Sequence, residues 1–254
     1  MRPDLRPDWP GGTGLILLDR VDSTNAHAAR IAATLARPTW ILAAEQTGGR
    51  GRRGRPWASP RGNFHATLVM KPAGPPATVA LRSFAAALAL RDALVALTGL
   101  PAAFALKWPN DVLLHGGKLA GILLESAGTG AGVAHLAIGI GVNLIAAPDP
   151  AMLDPGALRP VTLAAGTGLR VEPAVLLAHL APAYAAWEHR LQAEGFAPLR
   201  AAWLAHAAGL GQRVRARTGT RTRDGTFETI DPTGALILRS SQGLETLPAA
   251  EVFL

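Results

Sequence analysis

The chain has 254 residues, 49% of them hydrophobic, enough to bury a full core without a metal or disulfide staple. It contains no cysteine, which excludes a disulfide framework, a thiol nucleophile and any thiolate zinc site. A formal charge of +7 raises nucleic acid as a partner, but only three of the 25 basic residues are lysine, and this arginine bias with so much alanine points to genome coding rather than to a binding surface.

Residues 1–14, rich in proline, glycine and charge, read as a poorly ordered tail. They lack the apolar stretch of a signal peptide, and nowhere do about 18 uncharged apolar residues run together. The expectation is a soluble, cytoplasmic protein with no membrane partner. Asp22-Ser23-Thr24-Asn25 opens an alanine-rich stretch to Ala36, with short polar side chains suited to cap a helix. Trp40–Ala44 is a short apolar strand, Gly48–Arg55 a loop of glycine and arginine, and Asn63–Lys71 a second strand. Apolar residues recur at helical spacing from Thr78 to Leu97 and stop at Gly99, a C-terminal cap. Phe104–Leu114 and Leu119–Ser126 read as strands flanking a turn at Gly116-Gly117, and Val133–Leu144 as a third. Helical patterns return over Glu172–Glu194, interrupted by Pro182, and over Ala197–Ala208. From 211 on, short alternating runs separated by Asp224-Gly225, Thr233-Gly234 and Gln242-Gly243 are the pattern of a small β-barrel. The expected fold is α+β, a mixed sheet with helices packed on it over 1–208, then a small C-terminal β-barrel over 209–254.

Four segments carry chemistry. Gly48 to Trp57 sets Arg50, Arg52, Arg53 and Arg55 on a glycine-opened backbone; glycines let main-chain N–H groups approach an anion, and guanidinium forks grip phosphate or carboxylate. Gly49-x-Gly51-x-x-Gly54 matches a dinucleotide fingerprint in letters only, because Pro56 and Pro60 follow where a helix is required. An arginine-rich solvated loop is the plainer alternative. Lys107-Trp108-Pro109-Asn110-Asp111 offers a cation, an amide and a carboxylate held by proline, at the end of a strand, or else an edge turn with incidental polar residues. In Gly117-Lys118-Leu119-Ala120-Gly121-Ile122-Leu123-Leu124-Glu125 a lone lysine enters an apolar strand and must meet solvent or an anion. It is no P-loop, since neither Gly-Lys-Ser/Thr nor the upstream glycine is present. Gly139-Ile140-Gly141-Val142-Asn143 is a strand whose glycines admit a flat ligand or mark a bulge.

Taken in order and spacing over residues 20–145, these motifs, with Glu45-Gln46, resemble the biotin–protein ligase family, and the β-rich tail is similar to that family's SH3-like barrel domain. With no helix-turn-helix ahead of the first strand, the resemblance is to the monofunctional members, so no DNA partner is expected. It implies ATP, Mg²⁺ carried mainly by the ATP phosphates, biotin as substrate, and a biotin carboxyl carrier domain as acceptor. It implies that Ser23, Thr24, Asn25 and Gln46 meet the ureido ring and its surroundings, and that Gly49, Arg50 and Gly121 close the biotin pocket. It implies too that Arg52, Arg53 and Arg55 meet the phosphates, that Trp57 packs against the adenylate, and that Lys107, Asn110, Asp111 and Asn143 face the nucleotide or its metal. The resemblance implies that Lys118, with Arg52, neutralises charge as the carboxylate attacks; since the incoming amine must lose a proton, Asp111 is the expected assisting group, and normal transfer from preformed adenylate by Asp111→Asn would remove that role. A lipoate–protein ligase, a biotin sensor without activity and a nucleic-acid-linked regulator are the rival readings. Homodimer formation through strand edges is left open.

Overall fold

The computed structural model describes residues 9–128, 132–149, 156–219 and 221–254. Its elements run β1 (Gly14–Val21), α1 (Thr24–Ile31), β2 (Thr39–Gln46), β3 (Phe64–Met70), α2 (Pro76–Ala80), α3 (Arg82–Thr98), β4 (Phe104–Lys107), β5 (Asp111–Leu114), β6 (Gly117–Ala127) and β7 (His135–Val142). Then follow α4 (Leu163–Thr167), α5 (Pro173–Glu194), α6 (Phe196–Leu204), β8 (Arg213–Thr218), β9 (Arg221–Ile230), β10 (Leu236–Ser240), β11 (Gly243–Leu247) and β12 (Glu251–Phe253).

The first seven strands form one mixed sheet in the order β1-β2-β3-β7-β6-β5-β4. Only β1 and β2 are parallel, joined by the α1 crossover; the remaining neighbours are antiparallel. Side chains alternate across a strand, so the sheet has two chemically distinct faces. Phe64, Ala66, Leu68 and Met70 of β3, Ile138, Ile140 and Val142 of β7, and Ala120 and Ile122 of β6 join one large core with Leu88, Leu94, Leu177, Leu180 and Trp203 from the helices. The opposite face carries the polar and glycine positions. There α1 covers the β1–β2–β3 side and the near part of β7, through a small cluster of Ala28, Ala32, Ile41, Val69 and Ala137. The rest of that face, from Gly139 and Gly141 of β7 to Gly121 and Asp111, becomes the site.

Several sequence expectations change. The tail expected over 1–14 lies outside the described residues up to 8, but 9–14 are ordered: Trp9 packs against the core and its Nε1 donates to the Thr13 carbonyl at 3.1 Å. Strand β1 has no counterpart in the sequence reading, because as an edge strand covered on one face its alternation is broken by Arg20 and Asp19. The helix expected to reach Ala36 ends at Ile31 in a 3-10 turn, with Ser23 as its N-cap. Phe104–Leu114 is not one strand but a hairpin: Pro109 has no N–H for a ladder, the chain reverses at Trp108-Pro109-Asn110, and Lys107 faces Asp111 across β4 and β5. The Lys-Trp-Pro-Asn-Asp motif is therefore a turn with its two charges brought side by side. Pro182 does not interrupt α5, which runs 22 residues on packing against α3.

The C-terminal strands form a five-stranded antiparallel sheet, β11-β10-β9-β8-β12, and no pairing of β11 with β12 closes it into a barrel among the described residues. Turns are found at Gly234 and Gly243 as expected. Asp224-Gly225, expected as a turn, lies inside β9. Gly225 is small there because a Cβ would sit 2.7 Å from the Arg239 carbonyl oxygen.

Candidate functional site

A cavity of about 990 Å³ opens on the uncovered face of the main sheet. It brings together Ser23, Thr24, Asn25, Gln46, Gly49, Arg50, Arg52, Arg53, Arg55, Trp57, Lys107, Asn110, Asp111, Lys118, Gly121 and Asn143, every residue singled out above as a site candidate. Adjacent strands lie about 4.8 Å apart, so the three steps from β3 through β7 and β6 to β5 span roughly 14 Å. The two ends of that span differ in chemistry.

At the β2–β3 end the groups are neutral and polar. The Thr24 N–H and hydroxyl both donate to Gln46 Oε1, at 2.8 and 2.9 Å. Gln46 Nε2 donates to Ser59 Oγ at 2.9 Å, and Ser59 Oγ to the Trp57 carbonyl at 3.1 Å. The buried Thr67 hydroxyl lies 2.8 Å from Thr24 Oγ1 and 2.7 Å from Asn25 Oδ1. Ser23 accepts from the Ala26 N–H as the cap of α1, which holds Thr24 and Asn25 at the helix start, over the sheet. Next to them His65 is 1% exposed, with Nε2 3.1 Å from the Pro60 carbonyl, and burial lowers its pKa. A network of amides and hydroxyls with both donors and acceptors suits an uncharged polar ring.

The floor is glycine. A Cβ on Gly141 would stand 2.5 Å from Trp57 Nε1, one on Gly121 3.4 Å from the same ring, and one on Gly139 2.4 Å from Asn25 Oδ1. The indole of Trp57 thus lies on bare backbone, and its buried Nε1 has no hydrogen-bond partner among the described residues.

At the β5 end the charge is positive. Lys118 Nζ is 2.8 Å from Asp111 Oδ1, and Lys107 Nζ is 3.9 Å from Oδ2. Burial lowers the pKa of Lys107, partly offset by Asp111. The Lys118 ammonium also stands 5.7 Å from the centre of the Trp57 ring. Lys118 is held by its own backbone, whose N–H donates to the Arg159 carbonyl and whose carbonyl accepts from Val161. The Gly48–Trp57 loop folds over this end as a small hairpin, with Trp57 N–H to the Gly49 carbonyl at 2.9 Å and Gly51 N–H to the Arg55 carbonyl at 2.8 Å. Gly49 has no room for a side chain, since a Cβ would meet Ser59 Oγ at 2.5 Å. Arg52 is largely buried, which lowers its pKa, partly offset by Asp111. Arg53 is exposed in a left-handed conformation, φ 58°.

Some candidates are more committed to the fold than the sequence suggested. Asn110 Nδ2 donates to the Ile122 carbonyl at 2.6 Å, Arg50 is paired with Glu125, and Arg55 with Glu251 of β12. Asp111, expected to accept a proton, stands between two ammonium groups and anchors them. Thr67, Ser59, Glu125 and Glu251 were missed. A threonine inside the all-buried β3 was the one readable signal; a single carboxylate on β12 carries none. Among the described residues no group of three or more His, Asp or Glu side chains is placed to hold a metal ion.

The model of the biotin/lipoate A/B protein ligase family matches residues 17–143, and that of the biotin protein ligase C terminal domain matches 209–254. A biotin–[acetyl-CoA-carboxylase] ligase of Paracoccus denitrificans is 55% identical over 93% of this chain and 99% of its own. The chain belongs to the biotin/lipoate A/B protein ligase family. Within that family a bifunctional ligase/repressor of Bacillus spizizenii is 31% identical over 96% of this chain and 74% of its own. Among solved structures, the biotin protein ligase of Aquifex aeolicus in complex with biotin and ATP superposes with a TM-score of 0.80 at 25% identity, covering 94% of this chain and 97% of that one. The Leishmania major biotin protein ligase in complex with biotinyl-5-AMP gives a TM-score of 0.62 at 27% identity, covering 93% and 99%.

Proposed function

We propose that this chain is an ATP-dependent biotin–protein ligase. The observation that carries the reading is the polarity of the cavity: a neutral hydrogen-bonding end at Thr24, Asn25 and Gln46, a glycine floor, and a cationic end at Lys118, Lys107 and Arg52. Biotin has that shape, a polar ureido ring joined by an apolar arm to a carboxylate. Its carboxylate oxygen attacks the α-phosphorus of ATP, the bond to the β-phosphate oxygen breaks, and pyrophosphate leaves. The acceptor lysine amine then attacks the carbonyl carbon of biotinyl-5′-AMP, forming the amide, releasing AMP and giving up a proton.

Two anions meet in the first step, so catalysis rests on position and positive charge rather than on a nucleophile from the protein. Lys118 sits where carboxylate and α-phosphate converge, and Asp111 holds it ready by the ion pair at 2.8 Å. Arg52, Arg53 and Arg55 supply guanidinium groups to the phosphates, and the Arg50–Trp57 hairpin excludes water from an anhydride that water would destroy. Mg²⁺ enters with ATP, carried by its phosphates. The acceptor is the carrier domain of a biotin-dependent carboxylase, and the open edge of β1 is a strand edge to which it, or a second copy of this chain, can pair. The division into a catalytic domain to 208 and an SH3-like C-terminal module from 209 belongs to the same reading, as does a cytoplasmic location. No described helix is long and apolar enough to cross a membrane.

The test is pyrophosphate release from MgATP with biotin, lipoate or octanoate as the carboxylate. Release with biotin alone is expected. Release with lipoate or octanoate alone moves the chain to the sister activity, and none with any of the three removes the ligase reading.

A further inference from the structure

The hydrogen bonds around the cavity lead to a residue outside its wall that the chemistry above does not use. Glu125 lies on β6, two pleat positions beyond Gly121 on the same face, with Ala137 of β7 as its cross-strand partner. Its carboxylate receives Arg50 Nη2 at 3.1 and 3.4 Å and Arg50 Nε at 3.3 Å. The same carboxylate receives Asn25 Nδ2 at 2.7 Å. Asn25 has little freedom to answer any other group: Nδ2 also reaches the Leu123 carbonyl at 3.3 Å, Oδ1 lies 2.7 Å from the Thr67 hydroxyl, and Gly139 leaves no space for a Cβ beside it.

One anion therefore ties the loop that covers the cavity to the first turn of α1, which forms its neutral end. Both partners present only N–H donors to it, so the position demands an acceptor-only group. A glutamine would turn one N–H against another. The Arg50 and Glu125 side chains are 42% and 38% exposed, so the ion pair by itself contributes little. Its weight comes from orientation, because Arg50 and Asn25 are each aimed by the shared carboxylate.

We propose that Glu125 is a positioning residue for ligation, holding Arg50 over the cavity and Asn25 against the substrate ring so that loop and pocket close together. The inference rests on the ligase reading for its kinetic arm and on geometry alone for its second arm. In the kinetic arm, Glu125→Ala raises KM for biotin about tenfold and leaves kcat for pyrophosphate release within about twofold, as expected when orientation of a bound ground state is lost. Glu125→Asp recovers part of the loss and Glu125→Gln none. In an Arg50→Ala background the further effect of Glu125→Ala shrinks to about threefold or less, because the two act through one contact. In the second arm, trypsin cuts the Arg50–Arg55 segment of folded Glu125→Ala about tenfold faster than that of the unaltered protein, at an unchanged unfolding midpoint. A fall in kcat with KM unchanged, fully multiplicative effects with Arg50→Ala, or equal rates of trypsin cleavage overturns the proposal. If the unaltered protein forms no adenylate, the ligase reading fails, and the trypsin comparison still decides the role of Glu125.

Discussion

Lys118 shows how a single residue acquires a role from its surroundings. One of three lysines in the chain, it stands at the start of a largely apolar strand, 2.8 Å from Asp111 and beside the Trp57 ring. Its backbone is fixed on both sides by Arg159 and Val161, so the ammonium is preorganised before any ligand arrives. Removing one such charge-stabilising group lowers the rate about 10²–10³-fold. Lys118→Ala is expected to lose that much in adenylate formation, measured as pyrophosphate release at saturating biotin and ATP, with folding intact by circular dichroism. Normal rates would take Lys118 out of the mechanism. The lysine was legible in the sequence because a lone cation in an apolar run demands an anion. Its partner was not, because the pairing depends on where β5 crosses β6.

Among the elements, the helical layer keeps the sheet stiff beneath the site. Between α3 and α5, Arg82 Nη2 meets Glu188 Oε1 at 2.7 Å with both side chains nearly inaccessible, and Tyr184 and Gln192 donate to the same carboxylate. Breaking a buried pair by removing one partner leaves an uncompensated charge and costs about 3–5 kcal/mol. Glu188→Ala is therefore expected to lose stability of that order in urea denaturation at pH 7. A loss under about 1 kcal/mol would mean that Arg82 finds water or another acceptor. Periodicity located α3, α5 and most strands, whose burial follows from local spacing. It misread the Lys107–Asp111 segment because both halves are apolar enough to pass for one strand, and only the hairpin ladder shows the reversal.

At the scale of the molecule, the C-terminal sheet holds the loop of the first. Glu251 of β12 accepts from Arg55 at 2.6 and 3.1 Å and from Arg217 at 2.6 Å, and Arg52 donates to the Ala250 carbonyl at 3.4 Å. Trp108 Nε1 adds a bond to the Gly234 carbonyl at 3.0 Å. Hydrogen bonds from Arg55, then from Arg217, bring the Glu251 pKa down from 4.5 to about 2. Because the folded-state value is depressed, the stabilisation is present above about pH 4.5 and is lost as pH falls toward 2. Trypsin is inactive at such pH, so the readout is chemical denaturation: between pH 5 and pH 2.5 the unaltered protein is expected to lose more stability than Glu251→Gln. Equal losses would show that Glu251 is not the titrating link.

By itself the sequence determined the chemistry on offer: which loop carries the guanidinium groups, which strand the lysine, which strands must be bare enough for a ring to lie on them, and the order of motifs that marks the family. Those are local properties, set by residue type and spacing of a few positions. The tertiary structure decided what they face. Thr67 meets Asn25 across 42 residues, Asn25 meets Glu125 across 100, and Arg55 meets Glu251 across 196. Such pairings depend on strand order and register, and a one-residue slip would turn the same side chains to the other face. The open edges of the C-terminal sheet belong with them, since alternation specifies strands but not that β12 returns to pair with β8 while β11 and β12 stay unpaired with each other among the described residues.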